Sequence, residues 1–468
     1  MATQQYIDGI LKYIKGQNVP IEFNKKLFEI SEGNLLKYVA ETLSRQLSAD
    51  SAKIAIERAA PINVWNKIIK KLSTLYSRPV VRKTELDSDQ ELVDYYVARG
   101  IDKHFGNMNE NYNSYKWSTL EIYEDDVEKA LAFRSVPSHQ FIPYSDDKIN
   151  PLRPTAIVKL MGKEADVHGA EREKFWIYTP TEFIPVYDNG DIVQSDMDGN
   201  DGVNPFEVMP FEYISMSQYL LIPTPDDDSI QMTVLTPILL TDINYGSMFL
   251  SFPLLYTIDA DSENLPASPN IFWNLKSDDP DKTPSAGVVK AEPNLDAQMN
   301  HVMSQLAIWL DSKDIKPGTV GKLTAENFAS GISKIISEMD TLENRKGQEI
   351  VFSEMETKCW CRIAQIHNTL AKVGRISNRK LFSDPDSLVV MAEYSEDKVL
   401  ETRADKVERL AKERDARFTS QKKAIKELNP KMDDKAVDEL IKEIDEEQTT
   451  TLEVDDGDTT AEIPTDNR

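Results

Sequence analysis

Lys313, Lys316 and Lys322 fall in one short stretch broken by Pro317, Gly318 and Gly321. Ammonium groups on a glycine-freed loop could cradle phosphate, so the spacing has to be tested first against a nucleotide site. Gly318-Thr-Val-Gly-Lys-Leu-Thr324 puts two residues between its glycines. A phosphate loop needs four, with Ser or Thr directly after the lysine and a strand before the first glycine. Leu323 follows Lys322 and a helical pattern precedes the loop, so an ATP site is not expected.

Asp196-Met-Asp-Gly-Asn-Asp-Gly202 with Glu207 approximates a calcium loop. Its sixth position is Asp201 instead of glycine, Pro205 interrupts it, and strand-like segments flank it where an EF-hand has helices. A surface loop is the plainer reading. Histidines 104, 139, 168, 301 and 367 show no metal-ligand spacing, and His301 and His367 are expected beside helix faces. Cys359 and Cys361 are two residues apart in a helical pattern, hence on different sides of the helix, which disfavours a disulfide framework or a zinc site. No nucleophile–base pair, glycine-rich dinucleotide turn or paired carboxylate stands out. The expectation is no catalytic residue, no metal and no cofactor.

The elements around the lysine loop are the strongest signals. Before it, Leu295, Met299, Val302, Met303, Leu306, Trp309 and Leu310 recur at three and four, one stripe down a helix. After it, a second pattern runs from Phe328 to Val373, slipping in phase near Gly347, with Gly374 as its C-cap. At 1.5 Å per residue that helix is roughly 70 Å long and needs partners along its length. Residues 24–46, 63–76 and 88–119 also read as helices. From Leu120 to Leu221 the pattern is strand-like at 156–160, 175–179 and 183–187, with a turn at Asp188-Asn-Gly-Asp191. Thr236-Pro237 resembles an N-cap followed by proline at the first helical position, opening a helix to about Phe252. Short strands are expected at 271–273 and 287–290, and charged helices over 395–446. The fold class is α+β, mainly helical.

The 468 residues carry a net charge of -25, which argues against an outer surface that clamps nucleic acid. No basic and apolar leader opens the chain, and Val234–Ile258 is interrupted by Pro237, Asp242, Asn244 and Pro253, so neither a signal peptide nor a membrane span is expected. Thr451 to Arg468 holds six carboxylates against one arginine and reads as a disordered tail.

Five motifs in order resemble the portal protein of tailed double-stranded DNA bacteriophages. They are Leu75-Tyr-Ser-Arg-Pro-Val80, Phe183-Ile-Pro-Val-Tyr-Asp188, Asn204-Pro-Phe-Glu-Val-Met-Pro-Phe211, Ala329-Ser-Gly-Ile-Ser-Lys334, and the segment from Phe418 to Pro430 followed by an acidic helix. Glu207 stands where the family usually has glycine, and Ser333 replaces a small apolar residue. The resemblance implies a portal-type fold: wing 1–225, stem helices 226–254 and 293–312, clip 255–292, tunnel loop 313–329, long wing helix 330–376, crown 377–448 and acidic tail 449–468.

It further implies a dodecameric ring at one capsid vertex, a conduit for packaging and ejecting DNA, in the virion and assembled in the host cytoplasm. The implied partners are other copies of the chain, double-stranded DNA, the large terminase subunit, the head–tail adaptor, and the major capsid or scaffolding protein, with no membrane. In that layout Lys313, Lys316, Thr319, Lys322 and Asn327 make weak DNA contacts in the tunnel loop. Leu295, Met299, Leu306 and Trp309 pack the stem, and Phe272 and Trp273 anchor the clip interface. An acidic α+β enzyme, or another virion or scaffolding protein, is the alternative.

Overall fold

Ile7, Ile10, Leu11 and Ile14 form a buried stripe that makes Gln4–Gly16 the first helix, α1. Four more follow: α2 (Asn18–Ser31), α3 (Leu35–Gln46), α4 (Ala49–Glu57) and α5 (Val64–Leu72). The single helix expected over 24–46 is therefore two. Gly33, at φ 97°, ends α2: its N–H donates to the Ile30 carbonyl and that of Asn34 to the Glu29 carbonyl. That paired closure needs a left-handed residue, which glycine supplies without a Cβ clash. The computed structural model describes residues 4–165, 169–197, 202–251, 254–258, 285–289, 294–315, 331–394, 403–416, 418–429, 432 and 435–444.

A short strand β1 (Val81–Lys83) leads to α6 (Asp87–Ala98) and α7 (Ile101–Tyr115). The helix expected over 88–119 thus breaks at Arg99–Gly100 and stops before Trp117, where β2 (Trp117–Asp125) begins. The strands that follow are β3 (Ala130–Val136), β4 (Phe141–Tyr144), β5 (Ala156–Ala165), β6 (Glu171–Tyr178), β7 (Phe183–Tyr187) and β8 (Phe211–Ser215). They build two antiparallel sheets, ordered β3-β2-β8 and β4-β5-β6-β7. The turn after β7 closes as its sequence implies: Tyr187 N–H donates to the Asp191 carbonyl at 2.9 Å.

The Asn204 motif joins the sheets. Asn204 is buried, and its amide donates to the Thr179 and Val208 carbonyls, both at 2.8 Å, while its Oδ1 accepts from Phe206 N–H. Glu207 has φ 58°, the left-handed conformation that glycine tolerates and a side chain does not favour.

Helix α8 (Asp227–Ser251) starts nine residues before Thr236, because three aspartates at 226–228 open it. Pro237 lies inside it. Thr236 is therefore no N-cap; its hydroxyl donates back to the Met232 carbonyl, as Thr233 does to Ser229 and Thr241 to Pro237. Strands β9 (Leu254–Ile258) and β10 (Ser285–Val289) pair antiparallel, and α9 (Leu295–Asp311) follows, capped by Asn294 accepting from Ala297 N–H. The strand expected at 271–273 and the tail 449–468 lie outside the described residues.

Helix α10 runs 43 residues, Gly331–Val373. Its end repeats the paired closure of α2: Gly374, at φ 77°, donates to Ala371 and Arg375 to Leu370. The stripe Phe352, Met355, Cys359, Ile363, Ile366 and Leu370 is buried against α6, α7, β2 and β3 in one core. Each such side chain contributes about 1.5–3 kcal/mol through burial. A second core joins α1–α5, the β4–β7 sheet, α8 and α9. Strand β11 (Met391–Glu393) returns to pair with β1. All of this except the first five residues of α10 lies in one unit, Met1–Phe328 with Ile336–Ser395. The other, Ala329–Ile335 with Glu396–Arg468, contains α11 (Arg403–Asp415), α12 (Gln421–Leu428) and a helical stretch at 435–444. The fold is α+β and mainly helical. No helix among the described residues is long and apolar enough to cross a membrane.

Candidate functional site at the α8–α9 hairpin

Helices α8 and α9 lie side by side and run in opposite directions. At one end Trp309 of α9 donates its indole N–H to Asp228 of α8 at 2.9 Å. At the other, Leu239, Asp242 and Gly246 of α8 share a groove of about 440 Å³ with Ala297, Gln298 and His301 of α9. Burial pushes the Asp242 carboxyl above its ordinary range. Strands β9 and β10 continue from this second end.

The first end is fixed to the α+β body by charge. Lys313 Nζ lies 2.8 Å from Asp226 Oδ2 and 3.0 Å from Asp228 Oδ1, and Lys116 also pairs with Asp226. Burial opposes the Lys313 charge, but the hydrogen bonds its ammonium donates to the two aspartates outweigh it and hold its pKa above normal. Burial likewise opposes the Asp226 charge, and Lys116 and Lys313 together hold that carboxyl below normal. Trp309 stacks on Trp65 of α5 with ring centroids 6.4 Å apart.

Lys313, expected among the DNA contacts, is paired within this copy with two carboxylates. Its ammonium is half-buried just where α9 ends. Asp314, at φ 58°, closes α9, with Ile315 N–H on the Leu310 carbonyl. Lys316, Thr319, Lys322 and Asn327 lie outside the described residues, as do Phe272 and Trp273. The aspartates at 226–228 lie outside the pattern of apolar residues that points to this helix, although an acidic run at a helix start carries a recognisable signal.

The α9 stripe divides. Val302, Leu306, Trp309 and Leu310 are buried, and Leu295 is partly so. Met299 and Met303 remain 36% exposed and Ile308 72% exposed, so part of the apolar surface is uncovered within a single copy.

The remaining candidates have structural partners. Asp196 accepts from the Trp176 indole at 2.8 Å and pairs with Lys174 at 3.0 Å. Residues 198–201 of the calcium-like loop lie outside the described residues. His367 is buried between the Tyr96 hydroxyl at 2.6 Å and the Lys380 carbonyl at 2.7 Å, whereas His301 is exposed beside Gln305. Cys359 is buried and Cys361 Sγ reaches the Leu388 carbonyl at 3.1 Å. Among the described residues no cluster of three His, Cys, Asp or Glu is placed to hold a metal ion.

No protein-family model matches the chain, and no curated protein sequence matches it.

Proposed function

We propose that this chain is the subunit of a portal-type ring, dodecameric by resemblance, through which double-stranded DNA enters and leaves a capsid. The observation that carries the reading is the order of elements: an α+β body, an antiparallel helical hairpin, and then a 43-residue helix. That order follows the wing, stem, clip, stem and long-helix layout of the family the motifs resemble. The lysine loop and the clip segment fall between those elements.

Two physical features suit the role. A ring contact between identical subunits is heterologous, so each hairpin must offer apolar surface that a neighbour covers. Met299, Met303 and Ile308 are available for it. A conduit must also pass a polyanion without holding it, since each lysine–phosphate contact tightens binding through counterion release. Twelve copies at -25 each carry about -300 in total, a field that repels phosphates and centres the duplex. The lysine that begins the loop is already neutralised by its aspartates. Terminase and then the head–tail adaptor would dock on the clip, and movement of the DNA would be driven by the terminase.

Negative-stain microscopy of the purified chain tests this. The expected particle is an annulus with a central hole wide enough for duplex DNA. Compact single particles or rods would overturn the reading.

A further inference from the structure

Strand β8 has one open edge. Ile122 N–H donates to the Pro210 carbonyl and Met216 N–H to the Lys116 carbonyl, both at 2.8 Å, at the two ends of the β2–β8 ladder. Antiparallel alternation then turns the backbone groups of Glu212 and Ile214 toward β2, and those of Phe211, Tyr213 and Ser215 away from it. Because β8 is last in the order β3-β2-β8, the second edge has no strand beside it among the described residues.

A groove of about 990 Å³ runs past that edge. Phe211, Glu212 and Tyr213 all line it, although their side chains alternate between the faces of the sheet. A groove reached from both faces follows the strand edge itself. Its other walls are the Asn150–Pro154 segment after β4 and the Lys358–Arg362 turn of α10. Tyr219, 88% exposed, stands on the rim.

The groove's charge opposes that of the chain. Arg153, Lys358 and Arg362 line it against one carboxylate, Glu212. Lys358 and Arg362, four apart on α10, project from the same helix face. Arg362 pairs with the buried Glu212 at 3.4 Å, and its Nε is buried with no hydrogen-bond partner. On a molecule of net charge -25 most surface repels acidic peptides, while this groove attracts them.

We infer that the groove binds an extended, carboxylate-rich segment of a partner protein, added as a strand along β8 with its acidic side chains against Arg153, Lys358 and Arg362. Backbone hydrogen bonds to the open edge supply affinity, and the cations supply selectivity. The inference stands apart from the ring reading, since it uses only this edge and these charges.

The test is fluorescence anisotropy of labelled twelve-residue peptides against the full chain. One peptide alternates glutamate and valine, the other lysine and valine. Saturable binding of the glutamate peptide alone is expected. Arg153→Glu and Lys358→Glu, both at exposed positions, should each weaken it at least ten-fold without moving the melting temperature. N-methylation of alternate peptide nitrogens should abolish binding in one register and spare it in the other. Equal binding of both peptides, binding of neither, or indifference to the charge reversals overturns the proposal. Variants that change the oligomeric state while peptide binding is absent overturn it in favour of a second copy of this chain.

Discussion

Arg82 on β1 and Glu356 on α10, 274 residues apart, form a two-point ion pair from which water is excluded. Nε–Oε2 is 2.6 Å, Nη2–Oε1 is 3.1 Å, and the side chains are 1% and 0% exposed. Tyr76 and Tyr394 also donate to Glu356, Asp102 lies 2.7 Å from Arg82 Nη1, and the guanidinium rests over Phe105 and Trp360. The cluster pins the middle of the long helix to the body. Truncating one partner strands the other charge in the core, which costs about 3–5 kcal/mol. Arg82→Met should lower stability by that amount in thermal unfolding. Arg82→Met combined with Glu356→Leu should recover part of it, because the fully buried carboxylate is then gone and the charge left unpaired is that of the partly exposed Asp102. A single variant as stable as the parent would remove the cluster's role.

The divided stripe on α9 separates folding from the proposed ring assembly. Met299→Glu adds charge to surface already in contact with water, so the circular dichroism melt should be unchanged while rings disappear on microscopy. Leu306→Glu puts the same charge into the buried part of the stripe and should destabilise the subunit itself, by about 3 kcal/mol or more. Normal rings from Met299→Glu would contradict the hairpin's part in the ring.

Glu207 holds a left-handed backbone at a position where glycine carries no steric penalty. Glu207→Gly should stabilise the chain by up to about 1 kcal/mol, the relief of a left-handed non-glycine residue less the entropy glycine adds to the unfolded chain. Differential scanning calorimetry reads it directly; a lowered melting temperature would mean that the Glu207 side chain contributes contacts of its own.

Gly347 is exposed within α10, and a Cβ built there meets nothing within 4 Å. Gly347→Ala should therefore stabilise the helix by about 1 kcal/mol. Under the proposed portal role, packaging yield measured in parallel shows whether that point must also bend; a stabler chain that still forms the proposed ring but packages poorly would make it a hinge.

His139 packs against Phe28 with ring centroids 4.7 Å apart, and burial, assisted by Lys25, brings its pKa down to about 4. Its unfolded value is about 6.5. As pH falls from about 6.5 to about 4 the unfolded chain takes a proton that the folded chain refuses, so stability declines across that window and this site adds no further loss below it. Undiscounted, the shift corresponds to about 3.4 kcal/mol, and solvent screening of the partly exposed ring brings the effect to about 2 kcal/mol. His139→Gln should flatten the difference between melts at pH 7 and pH 4.5; an identical difference in both proteins would assign the acid sensitivity elsewhere.

Period and punctuation made much of this molecule legible. The α10 stripe and the Gly374 cap were readable because spacing and a left-handed terminus are local properties. The α9 stripe was readable too, but not which part of it would be covered, since that depends on α5 and α8. Pro237 misled because proline at a helix start and proline inside a helix look alike until the acidic turn at 226–228 is weighed. Gly33 and Gly100 fall inside helical patterns that run on past them, although each takes a left-handed backbone where one helix gives way to the next. The pairing of Lys313 with Asp226 and Asp228 was not readable, because it joins segments more than eighty residues apart. Glu207 is an odd residue for its motif; only its backbone conformation explains why glycine suits the position.

The pairing of β1 with β11, Lys83 against Met391, has a consequence for biosynthesis. At roughly 5–20 residues per second a ribosome takes about 15–60 s to make the intervening chain. Throughout that interval Tyr96, Phe105 and Met108 lack the face of α10 that later covers them. The nascent polypeptide is thus sticky for most of its translation, and its yield in cells should rise with holdase chaperones that shield that face until the last third of the message has been read.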